Sequence, residues 1–155
     1  MEIFRKRING IVHGSLVTSL LKYNLQGNDV NMNFYVNASD ETLTPRDGYV
    51  HFEICDSQSD PRVKALRVDH LRVGRGWKQN ESTKYKGCGI GTVLLYEAAV
   101  FCQQHFPGVR RFEIDGALDQ AHLFYYKLQL HTSKKEDFGR TGVTNFLCPM
   151  FLCHH

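Results

Sequence analysis

A run of alternating glycines, KGCGIG at residues 86–91, stands immediately before a segment with a clear helical pattern. Because this run also follows a strand-like segment, the order predicts a strand, a glycine turn and an amphipathic helix over residues 91–106. Gly108 ends that helix. The apolar side chains at helical spacing, expected on its buried face, are Leu95, Ala99, Cys102 and Phe106.

The rest of the chain contains short strand-like segments and two further helical ones. Ser15 is a plausible cap for a helix that ends at Gly27, and Asp119 is one for a helix over 119–130. Together these elements predict an α/β (α+β mixed) fold, with a single central mixed sheet flanked by helices. The predicted strands cover residues 2–8, 30–37, 49–55, 63–73, 109–117 and 143–152.

Length and composition narrow the class of protein. A chain of 155 residues with 42% apolar and 23% charged residues predicts one globular domain, 1–155, and argues against a disordered, collagenous or coiled-coil chain. No long apolar run indicates a membrane span, and the N-terminus has no apolar signal region. The five cysteines include no CxxC pair, so we expect free thiols and a cytoplasmic location.

The segment 63–73 changes phase along its length. Val63 and Ala65 are apolar at odd positions, whereas Leu66 and Val68 are apolar at even ones. One interpretation is a β-bulge near residues 69–70, a feature that gathers beside active sites. The other is a strand buried on both faces, where alternation carries no information.

The glycine turn suggests an anion site. The first N–H groups of a helix have no partner inside the helix and lie at its positive end, where phosphate groups bind. The spacing excludes a P-loop, which needs Lys and Ser/Thr after its last glycine. A dinucleotide fingerprint begun at Gly87 fails as well, because it needs a glycine where Thr92 stands. The alternative is a glycine turn without a ligand.

Two motifs resemble those of the GNAT acyltransferase superfamily. Lys86–Gly91 is similar to its Arg/Gln-x-x-Gly-x-Gly/Ala signature, whose loop and helix hold the pyrophosphate of acetyl-coenzyme A. The segment Ala121-x-x-Phe124-Tyr125-x-Lys127-Leu128 is similar to its second signature. The resemblance covers about residues 48–131. It implies a mostly antiparallel GNAT-like fold and acetyl-coenzyme A as co-substrate.

The resemblance also implies which residues bind the cofactor. The strand that ends at residue 73 resembles the family's central strand, whose exposed backbone pairs with the pantetheine arm. In this chain that backbone belongs to Leu71, Arg72 and Val73. The implied pyrophosphate site comprises Lys86, Gly87, Cys88, Gly89, Ile90, Gly91 and Thr92.

Three residues are candidates for acid–base chemistry. Tyr125 matches the family's usual general acid, and a phenol holds its proton at neutral pH. Asp69 lies where the family often places a base, whereas His70 suits proton acceptance better by its chemistry. The alternatives are a core tyrosine and a structural partner of Arg67 or Arg72. On neighbouring strands Glu53 and Asp115 are expected to be solvated. We expect no metal site, including at Cys148, Cys153, His154 and His155.

The predicted activity is transfer of an acetyl group to a primary amine by direct attack in a ternary complex. The formal charge of +3 suits a local anion pocket, and Arg75, Lys78 and Lys84 make the loop before the signature cationic. Nucleic acid is therefore a possible partner, though not the favoured one, and no membrane partner is expected. Two departures from the family pattern, Lys86 and the pair Gln129-Leu130, leave other interpretations open. These are a catalytically lapsed coenzyme A-binding regulator, a toxin or effector acting on aminoacyl-tRNA or protein, and a partner-binding domain without cofactor.

Overall fold

The computed structural model describes residues 1–38, 46–58, 60–73, 88–117, 122–128, 130–132 and 144–149. Their strands form one eight-stranded sheet in the order β1-β2-β3-β4-β5-β6-β8-β7. The strands are β1 Glu2–Val12, β2 Ser15–Gln26, β3 Asp29–Tyr35, β4 Gly48–Asp56, β5 Lys64–Val73, β6 Val109–Ala117, β7 His131–Thr132 and β8 Thr144–Pro149. The helices are α1 Ile90–His105 and α2 His122–Lys127.

The sheet is mixed, as predicted. Strand β5 pairs with β6 in parallel, whereas the pairs β1–β2, β2–β3, β6–β8 and β7–β8 are antiparallel. By contact density the chain divides into two compact units, one made of residues 1–51 and 70–95, the other of 52–69 and 96–155. Neither helix is long and apolar enough to cross a membrane.

The helix predicted from Ser15 to Gly27 is wrong, because this segment is strand β2. His13 and Gly14 both adopt positive φ, at 49° and 81°, and form a two-residue turn whose twist suits a hairpin. Strand β2 then pairs along its length with β1 and, from Leu20 to Gln26, with β3. Hydrogen bonds on both sides outweigh the helix propensity of its leucines, whose spacing suggested a helix.

The central helix is confirmed with nearly the predicted bounds. Within the first unit, its residues Leu94 and Leu95 are buried, as are Leu21 and Met32 of the sheet. Within the second unit, Ala99 and Cys102 are buried on α1. There Phe101 packs edge-on against Phe52 of β4, with ring centroids 6.3 Å apart. The predicted stripe of small and apolar residues is therefore the face that covers the sheet.

Strand β5 is irregular at a different place from the one predicted. Its pairing with β6 shifts register between Lys64 and Ala65 rather than near residues 69–70. Ala65 and Leu66 are both fully buried although they are consecutive, so this part of the strand is covered on both faces. The described register with β6 ends at Val68, whereas β5 itself continues to Val73.

Candidate functional site

Helix α1 begins as an anion-binding helix should. Gly89 adopts a φ of 83°, a left-handed conformation that glycine reaches without strain, and its carbonyl accepts the Val93 N–H at 3.0 Å. The first turn carries no acidic side chain, and Gly89 and Thr92 are exposed to solvent. The N–H groups of this turn have no helical partner, so a phosphate oxygen would find donors and a positive dipole here.

A glycine that the sequence analysis did not single out places this helix against the sheet. A Cβ built on Gly48, the first residue of β4, would lie 2.6 Å from Ile90 Cγ2 and 3.1 Å from Leu94 Cδ1. The same point is 3.6 Å from the carbonyl oxygen of Arg72 on β5. The structure thus brings together two predicted cofactor-binding residues, Ile90 and Arg72, because position 48 has no side chain.

Gly48→Ala should therefore disturb the site. The added methyl group would overlap Ile90, so the first turn of α1 must shift, and we expect a loss of about 1–3 kcal/mol in the free energy of unfolding. Urea denaturation followed by circular dichroism measures this loss. Gly10→Ala is the matched control, because nothing lies within 4 Å of the corresponding Cβ in β1. Equal stability of the two variants would refute the close approach at Gly48.

The end of strand β5 offers backbone to a ligand. Leu71 and Val73 are half-buried and Arg72 is exposed, and all three follow Val68, where the described register with β6 ends. A strand that outruns its neighbour has N–H and C=O groups that an extended ligand can pair with. This is the arrangement that the pantetheine prediction requires.

The two candidate bases lie just before this segment, beside a histidine that the sequence analysis missed. Asp69 and His70 are both exposed. The imidazole rings of His70 and His51 of β4 are 6.4 Å apart, and His51 Nε2 lies 3.3 Å from Asp29 Oδ1. The alternation of β4 predicts that His51 faces away from Val50 and Phe52, but only the tertiary structure shows what it faces.

Tyr125 lies in the second unit and is buried, with 6% of its surface exposed. Burial raises the pKa of its phenol to about 12. Its carbonyl accepts the N–H groups of Leu128 and Leu130, at 3.0 and 3.1 Å, which ends α2. The next residue, Tyr126, is 53% exposed. Tyr125 therefore keeps its proton throughout the physiological pH range, and it is a weaker acid than a solvated tyrosine.

A second buried ionisable group lies on β6, where strand alternation alone predicts a solvated side chain. Glu113 is buried, accepts a short hydrogen bond from the Ser57 hydroxyl and lies 3.4 Å from Arg67 Nε. Arg67 also contacts Glu53, at 3.7 Å. Asp115 is exposed, as predicted. One interpretation made Asp69 the partner of Arg67, but these contacts assign carboxylates from β4 and β6 to it.

Several predicted site residues lie outside the described residues. They are Lys86, Gly87, the cationic loop residues Arg75, Lys78 and Lys84, the cap Asp119, the second signature's Ala121 and its departure Gln129, and the terminal Cys153, His154 and His155. Cys88, the first described residue of the signature, is half-buried, and its thiol is free.

Solved structures share this fold at low sequence identity. A structure of AtaTR bound with AcCoA has a TM-score of 0.59 and 14% identity, covering 79% of this chain and 68% of that chain. Arabidopsis thaliana Naa50, in complex with the bisubstrate analogue CoA-Ac-MVNAL, has a TM-score of 0.51 and 14% identity, covering 76% of this chain and 71% of that one. The KacTA-DNA complex has a TM-score of 0.56 and 12% identity, covering 81% and 70%.

No protein-family model matches the sequence, and no curated protein matches it either. At 12–14% identity the structural likeness establishes the fold. The fold that the two sequence signatures implied is thereby confirmed.

Proposed function

We propose that this chain, which has the fold of the GNAT N-acetyltransferases, transfers an acetyl group from acetyl-coenzyme A to a primary amine. The observation that carries the proposal is the junction at Gly48. There the first turn of α1 and the end of β5 approach one point of the sheet. A donor-rich helix start beside an outrunning strand suits a ligand with a diphosphate at one end and an extended amide arm.

The chain's own residues suggest how the co-substrate is held. The N–H groups of residues 89–92 suit the diphosphate, with Lys86, Gly87 and Cys88 completing the turn. The backbone of residues 71–73 suits the extended arm, and one of its N–H groups would polarise the acyl carbonyl. Acetyl-coenzyme A supplies an activated thioester carbonyl. Holding it in line with an amine is a large part of catalysis, because positioning alone supplies several kcal/mol.

Proton transfer completes the proposal. The attacking amine must lose a proton, and His70 or Asp69, at the start of the outrunning segment, accepts it directly or through water. An imidazole exchanges protons near neutral pH, which favours His70. Tyr125 donates a hydrogen bond to the leaving sulfur. No cysteine is required as a nucleophile, so the acetyl group passes directly to the amine in a ternary complex.

The raised pKa of Tyr125 favours a second candidate function, a coenzyme A-binding regulator without turnover. A phenol with a pKa of about 12 gives up its proton less readily than an ordinary tyrosine. The replacement of the family's Gly-Phe by Gln129-Leu130 points in the same direction. The two functions differ in one measurable respect: both require cofactor binding, but only the enzyme releases free coenzyme A thiol in the presence of an amine.

The acceptor is the next unknown. The similar structures come from proteins with different partners: Naa50 carries a peptide-like bisubstrate analogue, and AtaT is titled a toxin bound to the C-terminus of its antitoxin. A screen for thiol release should therefore include peptides with free N-termini, polyamines and aminoacyl-tRNA. The cationic loop before the glycine turn keeps aminoacyl-tRNA among the acceptors.

Acetyl-coenzyme A should stabilise the chain against unfolding. At a concentration of 100 times its Kd, a ligand that binds only the native state adds about 2.7 kcal/mol. A thermal-shift titration measures the effect, and Gly48→Ala should need more cofactor for the same shift. Free acetate at equal concentration is the control. Absence of any shift at millimolar acetyl-coenzyme A would overturn the proposal in both its forms.

A further inference from the structure

We propose that His51 and His70, with the carboxylate of Asp69, form a binding site for a divalent transition-metal ion of the zinc type. This inference does not depend on acetyltransferase activity. It rests on the convergence of imidazole and carboxylate groups at one place on the sheet, on residues far apart in sequence. Such donors are the ones that Zn²⁺ prefers when no thiolate is present.

The donor atoms are close enough for one ion. A ring nitrogen of His51 and a carboxylate oxygen of Asp69 each lie within 4.8 Å of a ring nitrogen of His70. Zn–N and Zn–O bonds of about 2.0–2.1 Å in a tetrahedron require ligand atoms roughly 3.3 Å apart. Small side-chain rotations close that difference, because Asp69 and His70 are exposed and their side chains can turn.

His51 already has the second contact that a metal-binding histidine usually has. Its Nε2 lies 3.3 Å from Asp29 Oδ1. A carboxylate that accepts the proton of one ring nitrogen fixes the tautomer, so that the other nitrogen, Nδ1, presents its lone pair. Only 19% of the His51 side chain is exposed, so the ring is held in place. Asp29 is thus a positioning residue for the proposed site.

Three protein ligands leave a coordination position open. A water molecule or a ligand amine takes the fourth position of a tetrahedral ion, as in metal sites that exchange ligands. If His70 is also the base of the proposed transferase, the ion occupies the same lone pair. Bound metal would then inhibit acetyl transfer. This consequence rests on the proposed function, whereas binding itself does not.

Calorimetric titration of the chelator-treated full chain with Zn²⁺ tests the proposal. We expect one site that His51→Ala and His70→Ala each remove or weaken more than tenfold, and that Asp29→Asn weakens by about 10–100-fold. His13→Asn is the matched control, because it removes a histidine at a turn position, φ 49°, that asparagine tolerates. It should bind Zn²⁺ like the unaltered chain.

Cobalt identifies the ligands and guards against misfolded variants. Co²⁺ in the unaltered chain should give visible ligand-field bands without the charge-transfer band of a thiolate. A thiolate band would overturn the proposal and assign the metal to cysteines. Unchanged Zn²⁺ affinity in His51→Ala and His70→Ala would overturn it as well. If either alanine variant loses its native circular dichroism, His51→Gln and His70→Gln replace it, with the same expected loss.

Discussion

Tyr125→Phe is expected to lower the turnover of acetyl transfer by about 10²-fold or more while leaving acetyl-coenzyme A binding intact. The substitution removes only the phenolic hydroxyl, so the buried ring still fills its place in the second unit. What is lost is the hydrogen donated to the leaving sulfur. We place the effect at the lower end of the range for general acids because burial raises the pKa of this phenol to about 12.

Tyr126→Phe is the matched control, because it removes the same atom from the neighbouring, exposed side chain. Turnover is followed by release of free coenzyme A thiol and binding by thermal shift. The Tyr125 phenol stays protonated until the pH approaches 12, so it should cause no fall in turnover between pH 7 and 10. If both variants turn over like the unaltered chain, Tyr125 is a core residue and no acid.

Glu113→Ala is expected to cost about 3–5 kcal/mol in the free energy of unfolding, since it removes one partner of a buried ion pair. The carboxylate is buried on β6, accepts the Ser57 hydroxyl and lies 3.4 Å from Arg67 Nε. Without it a guanidinium with 15% of its side chain exposed loses its nearest counter-charge. Urea denaturation should show a lower midpoint with an unchanged slope, which marks a change in stability alone.

Glu53→Ala is the comparison for this second prediction. Glu53 also contacts Arg67, at 3.7 Å, but 44% of its side chain is exposed. A solvated pair of this kind contributes about 0–1 kcal/mol, so its loss should be small. Glu113→Gln keeps a hydrogen-bond acceptor for Ser57 and should fall between the two alanine variants. Equal, small losses for Glu113→Ala and Glu53→Ala would contradict the importance of burial here.

Local patterns predicted the parts of the molecule whose conformation is decided locally. The stripe in α1 and the glycine turn before it carry their own signals, and β4 and β6 show alternation over their whole length. From these alone the chain's fold class and the anion-binding helix start were predictable. The two signatures added the co-substrate and a set of residues, of which Arg72 and Ile90 meet around Gly48.

Strand β2, the burial of Glu113 and the neighbours of His51 were decided by tertiary structure. Residues 15–26 have leucines at spacings that suit a helix, and pairing with strands on both sides overrides that local preference. Strand alternation places Glu113 and His51 on a face, but it does not say what lies opposite. Sequence periodicity records only where a side chain points, whereas the meeting of Glu113 with Arg67, or of His51 with His70, depends on strand pairings between distant residues.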